Sequence, residues 1–214
     1  MKSNRLHFLI TAGGTREYID PVRFISNASS GKMGYSLAQA AIKAGHRVTL
    51  VTAVKNPQFK IKNSKLKIKE TVSAEEMFKA VKTHFSKCDC LIMAAAVADY
   101  TPIKKSKIKI KKSGRNYIIK LKPTVDILKW AGKNKKKNQI VVGFALEDKN
   151  LRNNADKKLK DKNLDMIIAN SPASIGAEKT AVHIKTAAGK WIKMPTAGKK
   201  AIAAGIICLA ESLY

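Results

Sequence analysis

The chain has 214 residues, 45% of them hydrophobic, enough to bury one sizeable core in a single domain over residues 1–214. No stretch approaches the ~20 consecutive apolar residues of a membrane-spanning helix, and the start, MKSNRLHFLITAGG, leads into a strand-like segment and not a signal peptide, so a cytoplasmic protein without membrane partners is expected. Lys and Arg number 42 against 15 Asp and Glu, a net charge of +27. Only six of the 42 are arginines, and the 36 lysines are scattered over nearly every polar segment. They form no stripe interleaved with aromatics, which argues against specific nucleic-acid binding as the main function.

Residues 5–12 (RLHFLITA) read as a buried strand ending in Gly13-Gly14, residues 31–44 as a small-residue helix ended by Gly45, and residues 46–53 (HRVTLVTA) as a second strand. Strand, glycine-rich loop, helix and strand in that order make a parallel pair with a right-handed crossover. A strand near 66–71 follows, then a helix starting at Ser73, where Ser73 and Glu76 predict a capping box. Residues 89–100 (DCLIMAAAVADY) give the next strand and its outgoing loop. Residues 107–122 (KIKIKKSGRNYIIKLK) alternate apolar and polar positions around Ser-Gly-Arg-Asn and predict a β-hairpin.

After it come a helix over 124–131, a strand over 139–146 (QIVVGFAL), a charged helix over 151–162 and a strand over 164–170. A second hairpin runs from 182–185 through Gly189 towards Ile192, and a patterned helix covers 197–213. The rhythm predicts a Rossmann-like, doubly wound α/β fold: a mostly parallel sheet, helices on both faces and inserted β-hairpins. Such sheets take ligands at the carboxyl ends of their strands. The lysine runs at 55–69 and 133–137 read as solvated loops and edges, where charge also discourages edge-to-edge aggregation.

Three cysteines, Cys88, Cys90 and Cys208, are odd in number and read as reduced core thiols. Four dispersed histidines give no zinc spacing, so no protein-ligated metal site is expected. Gly13, Gly14, Gly31 and Gly34 do not form Gly-x-Gly-x-x-Gly, because sixteen residues separate Gly14 from Gly31, which disfavours a nicotinamide-dependent reductase. SSGKMG is not a P-loop either, since no Ser or Thr follows its lysine. A glycine-rich loop opening a helix remains. Its free amides suit an anion, or Ser29 or Ser30 serves as an ordinary cap.

Together ITAGGTREYIDPVRFISNASSGKMG, AAAVADY, the KIKK at 109–112, VDIL, VGFALE and KNLDMIIAN resemble the phosphopantothenoylcysteine synthetase family over nearly the whole chain. The resemblance implies a ligase of coenzyme A biosynthesis that joins 4'-phosphopantothenate to L-cysteine. The substrate carboxylate would attack the α-phosphate of CTP, brought with Mg²⁺, and the cysteine amine would then displace the nucleotide from the acyl-cytidylate. It implies Asn27 holding the acyl carbonyl, with Ser29, Ser30 and Gly31 close to acyl or phosphate oxygens. Lys109 would sit on a mobile flap over the phosphates. Met93, Ala94, Ala95, Asp99, Val125, Asp126, Ile127, Leu128 and Phe144 would lie against the nucleotide, with Lys158 and Lys162 on the triphosphate. Arg23 would meet the phosphate of phosphopantothenate across a homodimer. Relatives are often fused to a flavin-dependent decarboxylase; this sequence resembles the synthetase part alone, and a separate phosphopantothenoylcysteine decarboxylase is the expected partner. Thr180 departs from the family pattern, standing where many relatives carry asparagine.

Overall fold

A computed structural model describes residues 5–56, 59, 63–114, 116–174 and 176–214. Its eight-stranded sheet is built from β1 (His7–Ala12), β4 (Arg47–Thr52), β5 (Leu66–Glu70), β6 (Cys90–Met93), β9 (Ile140–Leu146), β10 (Met166–Asn170), β11 (Lys179–Thr186) and β12 (Ile192–Gly198). Across the sheet the order is β12-β11-β10-β9-β6-β1-β4-β5. All pairings from β10 to β5 are parallel, and β11 is antiparallel to both of its neighbours. Two small antiparallel pairs stand apart, β2 (Arg16–Tyr18) with β3 (Phe24–Ser26) and β7 (Tyr100–Pro102) with β8 (Leu121–Pro123).

The central strands are apolar on both sides, and the two-residue period of a strand divides them between two layers. Phe8, Ile10, Cys90, Ile92, Val142, Met166 and Ile168 face α1 (Lys32–Lys43) and α5 (Lys199–Glu211). Leu9, Leu91, Val141 and Ile167 face α2 (Ala74–Phe85), α3 (Ile127–Asn134) and α4 (Leu151–Asp161). Helices therefore cover both faces, and each fully buried Leu or Ile contributes roughly 1.5–3 kcal/mol. The edge strand β5 carries exposed Lys67 and Lys69, as the charge pattern predicts for an edge. The part of the 55–69 run at residues 57, 58 and 60–62 lies outside the described residues.

Four local expectations are corrected. Cys88 and Cys90 are buried, but Cys208 is exposed on α5 and is not a core thiol. Among the described residues of 107–120 no strand forms: the pairing is instead between β7 and β8, which bracket a long excursion over 103–120. The alternation there has no surface to bury against, since Ile108, Tyr117 and Ile118 are 76%, 64% and 84% exposed; Arg115 lies outside the described residues. The helix expected at 124 starts at Ile127, because the Asp126 carboxylate caps it by accepting from the Lys129 amide at 2.9 Å. At α2, Ser73 caps Glu76 N as expected at 3.2 Å, but Glu76 reaches back to the amide of Val72 at 2.9 Å and not to that of Ser73.

From β1 the chain moves through α1 to β4 and β5, then crosses back through α2 to β6 on the other side of β1. The order reverses between β1 and β6, and a crevice opens at the carboxyl ends of these two strands.

Candidate active site

Two loops meet at that crevice. The loop after β1 and the loop after β6 are tied by Ala96 N donating to Gly13 O at 2.9 Å and Thr15 N to Ala96 O at 3.3 Å. Buried hydroxyls brace them: Ala95 N donates to Thr11 Oγ1 at 3.1 Å and Ala98 N to Thr15 Oγ1 at 2.9 Å. These bonds satisfy backbone groups that a buried loop would otherwise leave unpaired.

The cleft they open holds about 510 Å³. Asn27, Ser29, Ser30 and Gly31 line one wall, Met93, Ala94, Ala95 and Asp99 the next, and Val125, Asp126, Ile127, Leu128, Phe144, Lys158 and Lys162 the far side. Residues scattered over 135 positions of the sequence thus share one cavity. Arg23 and Lys109 are not among its lining residues. The Arg23 guanidinium instead pairs with Asp20 and donates to the carbonyl of Ile110 at 2.8 Å, and Lys109 is an exposed residue of the 103–120 excursion.

Asn27 follows β3 directly, and its carboxamide nitrogen donates to the carbonyls of Ala96 and Val97, both at 3.2 Å. Both bonds are long, so the amide is oriented across the crevice yet able to exchange one of them for a ligand oxygen. The start of α1 lies beside it. Gly31 is left-handed, with φ 75°, and a Cβ there would come within 2.7 Å of Val54 Cγ2, so only glycine fits. Neither serine caps the helix: the N-cap is Gly31 with no side-chain bond, and Ser29 Oγ accepts only from Gly31 N, at 3.4 Å. The positive end of α1 therefore opens on the cleft.

Four lysines converge on the same space. Lys158 Nζ donates to the carbonyl of Phe144 at 2.9 Å; burial, then the nearby Lys162 charge, push its ammonium below the ordinary lysine range, against the opposing pull of Glu147, Asp126 and Asp99. Lys162 Nζ stands 2.7 Å from Asp126 Oδ2. Burial alone would raise the Asp126 carboxyl, but Lys162 and the Lys129 amide together hold it low. Lys32 and Lys199 complete the set, the first near Glu178 at 3.7 Å, the second lowered by burial and by Lys32.

The family resemblance assigns no role to Lys32 or Lys199. Lys32 was visible inside SSGKMG, but nothing local marks Lys199, which reaches the cleft because β11 and β12 fold back and start α5 there.

Asp99 makes no hydrogen bond or ion pair through its carboxylate among the described residues. No group of three or more His, Cys, Asp or Glu able to hold a metal occurs among them, and no helix among them is long and apolar enough to cross a membrane. Phe144 is half-buried, packed on the core along one side and lining the cleft along the other.

The chain is a Rossmann-like, doubly wound α/β protein with an uncapped helix start and four converging ammonium groups at its switch point. The chain belongs to the family described as the DNA/pantothenate metabolism flavoprotein C-terminal domain, whose model matches residues 3–213. It is 48% identical over 179 residues, 82% of this chain and 45% of the relative, to the coenzyme A biosynthesis bifunctional protein CoaBC of Borreliella burgdorferi. It is 44% identical over 208 residues, 95% of this chain and 57% of the relative, to a protein of an unknown prokaryotic organism named cysteine/cysteine sulfinic acid decarboxylase. The chain thus spans about half the length of the curated relatives it matches. Among solved structures, the C-terminal domain of a coenzyme A biosynthesis bifunctional protein CoaBC is 36% identical, with a TM-score of 0.81, covering 100% of this chain and 98% of that one.

Proposed function

We propose that this chain is a CTP-dependent ligase that joins 4'-phosphopantothenate to L-cysteine in coenzyme A biosynthesis. The observation that carries the reading is the convergence, at one switch-point cleft, of the Asn27 carboxamide, the uncapped start of α1, Asp99 and the Lys158–Lys162 pair. The names of the coenzyme A biosynthesis relatives point the same way.

The chemistry asks for such a site. In the first step the substrate carboxylate oxygen bonds to the α-phosphorus as the bond to the β-phosphate oxygen breaks and pyrophosphate leaves. Two anions must be brought into line, so positive charge and orientation supply the rate and no side-chain nucleophile is needed. Lys158 and Lys162 hold the triphosphate, with Lys109 covering it from the excursion. Asp99, whose carboxylate has no hydrogen-bond or ion-pair partner among the described residues, would hold Mg²⁺ brought with the phosphates, and the ion would offset their negative charge. In the second step the cysteine nitrogen bonds to the acyl carbon, CMP departs with its electron pair, and the amine gives up a proton. Asn27 donates to the carbonyl oxygen as charge grows there, without adding charge of its own. The carbonyls of Ala94 and Ala95 accept no hydrogen bond among the described residues, leaving acceptors for a pyrimidine amino group. A homodimer, a separate decarboxylase acting on the product and a cytoplasmic location complete the proposal.

The test is a complete assay with each nucleoside triphosphate in turn. Pyrophosphate and ligated product are expected in equal amounts, only when phosphopantothenate, cysteine and Mg²⁺ are all present, and fastest with CTP. Pyrophosphate without product reduces the chain to an activating enzyme, and CO₂ released from cysteine sulfinate sends the reading to the decarboxylase named among the relatives.

A further inference from the structure

The excursion over 103–120 is held by more than its base. Ile103 N donates to Lys120 O at 3.0 Å and Ser106 N to Ile19 O at 2.9 Å. Ser106 Oγ donates to Ile108 O at 2.6 Å. Ile110 is gripped at both backbone groups: its N–H donates to Asp20 Oδ2 at 3.1 Å, and its carbonyl accepts from Arg23 Nη2 at 2.8 Å. Lys109 is the residue between the two held positions.

The grip itself is rigid. The Asp20 side chain is completely buried while that of Arg23 is half exposed. Asp20 Oδ1 accepts from the amides of Val22 and Arg23, both at 2.9 Å, and Oδ2 from Arg23 Nε at 2.9 Å and also from Nη2. A fork of this kind fixes both planar groups, and a buried carboxylate needs all such partners. The guanidinium and the Val22, Ile110 and Arg23 amides hold the Asp20 carboxyl well below the usual carboxylate range. Behind it, Glu17 Oε1 accepts from Ala74 N at 2.7 Å and Arg16 N donates to Val72 O at 2.8 Å, fastening the β2–β3 hairpin to the start of α2. The same hairpin leads into Asn27 four residues after Arg23.

We infer that Asp20 and Arg23 are positioning residues: a clasp on Ile110 that sets where Lys109 is presented to the cleft, on the same hairpin that delivers Asn27. This inference rests on the proposed role of Lys109. It gives Arg23 a positioning task within the chain, carried by its Nε and Nη2 donors.

The test uses Arg23→Gln, which keeps the amide partners of Asp20, beside Asp20→Asn, with Lys109→Ala as reference. Amide hydrogen exchange at 107–111 is expected to speed up at least tenfold in Arg23→Gln while α2 and the central strands keep their protection. The pyrophosphate-forming rate is expected to fall about 10- to 100-fold, the scale of a misplaced group, with little change in the KM for cysteine. In the Lys109→Ala background the same substitution should cost almost nothing, since the two act as one unit. Unchanged exchange at 107–111 overturns the clasp. Equal loss of rate with and without Lys109 overturns the positioning role, as does a Lys109→Ala variant of full activity, which in addition removes Lys109 from the proposed function. Should Asp20→Asn fail to fold, Arg23→Gln and Arg23→Lys carry the test; partial recovery of rate in Arg23→Lys supports it.

Discussion

Lys158 carries the sharpest electrostatic conflict in the cleft, half-buried, beside a second ammonium and lowered below the ordinary lysine range. Because its folded pKa is depressed, the unfolded chain binds the extra proton more tightly, and stability rises with pH between the folded and unfolded values. A polyanion reverses the preference by favouring the ammonium. Nucleotide affinity should therefore weaken as pH rises through the lowered Lys158 value, by up to about tenfold per pH unit, and that limb should be absent in Lys158→Gln. Titrations with the same pH profile in both proteins would refute the assignment. At this scale the sequence was informative where a motif is short and contiguous: Asn27 and Asp99, from two separate motifs, both line the one cleft. It was silent on Lys199, whose neighbours in the cleft are set by folding alone, and on Asp20, whose partner Ile110 is 90 residues away.

Helix α3 shows how an element carries the site. Gly132 lies inside it, and a Cβ there would come within 1.8 Å of the carbonyl oxygen of Lys162, while Asn163 Nδ2 donates to Gly132 O at 2.9 Å. The end of α4 is thus pressed onto α3, which seats Lys162 against Asp126. Alanine is a better helix former than glycine by about 1 kcal/mol, yet Gly132→Ala should lose about 1–3 kcal/mol from overpacking and weaken nucleotide binding with it. Urea denaturation reads the first effect, and a stabilised variant would contradict it. Elements were legible where apolar periodicity met a buried surface, as in β1, β6, β9 and α2. The 107–122 alternation failed for the converse reason: Ile108, Tyr117 and Ile118 face solvent in the chain, and the period of a sequence does not say whether anything lies opposite it. The start of α3 shifted because Asp126, not Thr124, supplies the cap; Thr124 Oγ1 donates instead to Ala98 O at 2.6 Å.

Over the whole molecule, the two small antiparallel pairs leave apolar side chains uncovered. Val22, Phe24, Tyr100, Ile103 and Leu121 are 41–56% exposed, on segments that adjoin the clasp and the excursion. The proposed homodimer would cover them, and sedimentation at micromolar concentration should show a two-chain species that Phe24→Glu with Leu121→Glu splits; a monomer at every concentration would end that part of the proposal. The parallel alternation was plain from the sequence because buried strands read as unbroken apolar runs. The strand order was not, since neighbours in the sheet are chosen by crossovers and not by local pattern. The reversal through β11 has one more effect. It returns β12 to the direction of β1, so α5 packs beside α1 with both helices pointing the same way, and neither has a side-chain cap at its start. Two like-poled dipoles side by side repel. An anion bound between the two helix starts, as the proposed function requires, would offset that repulsion and favour the packing of α1 against α5.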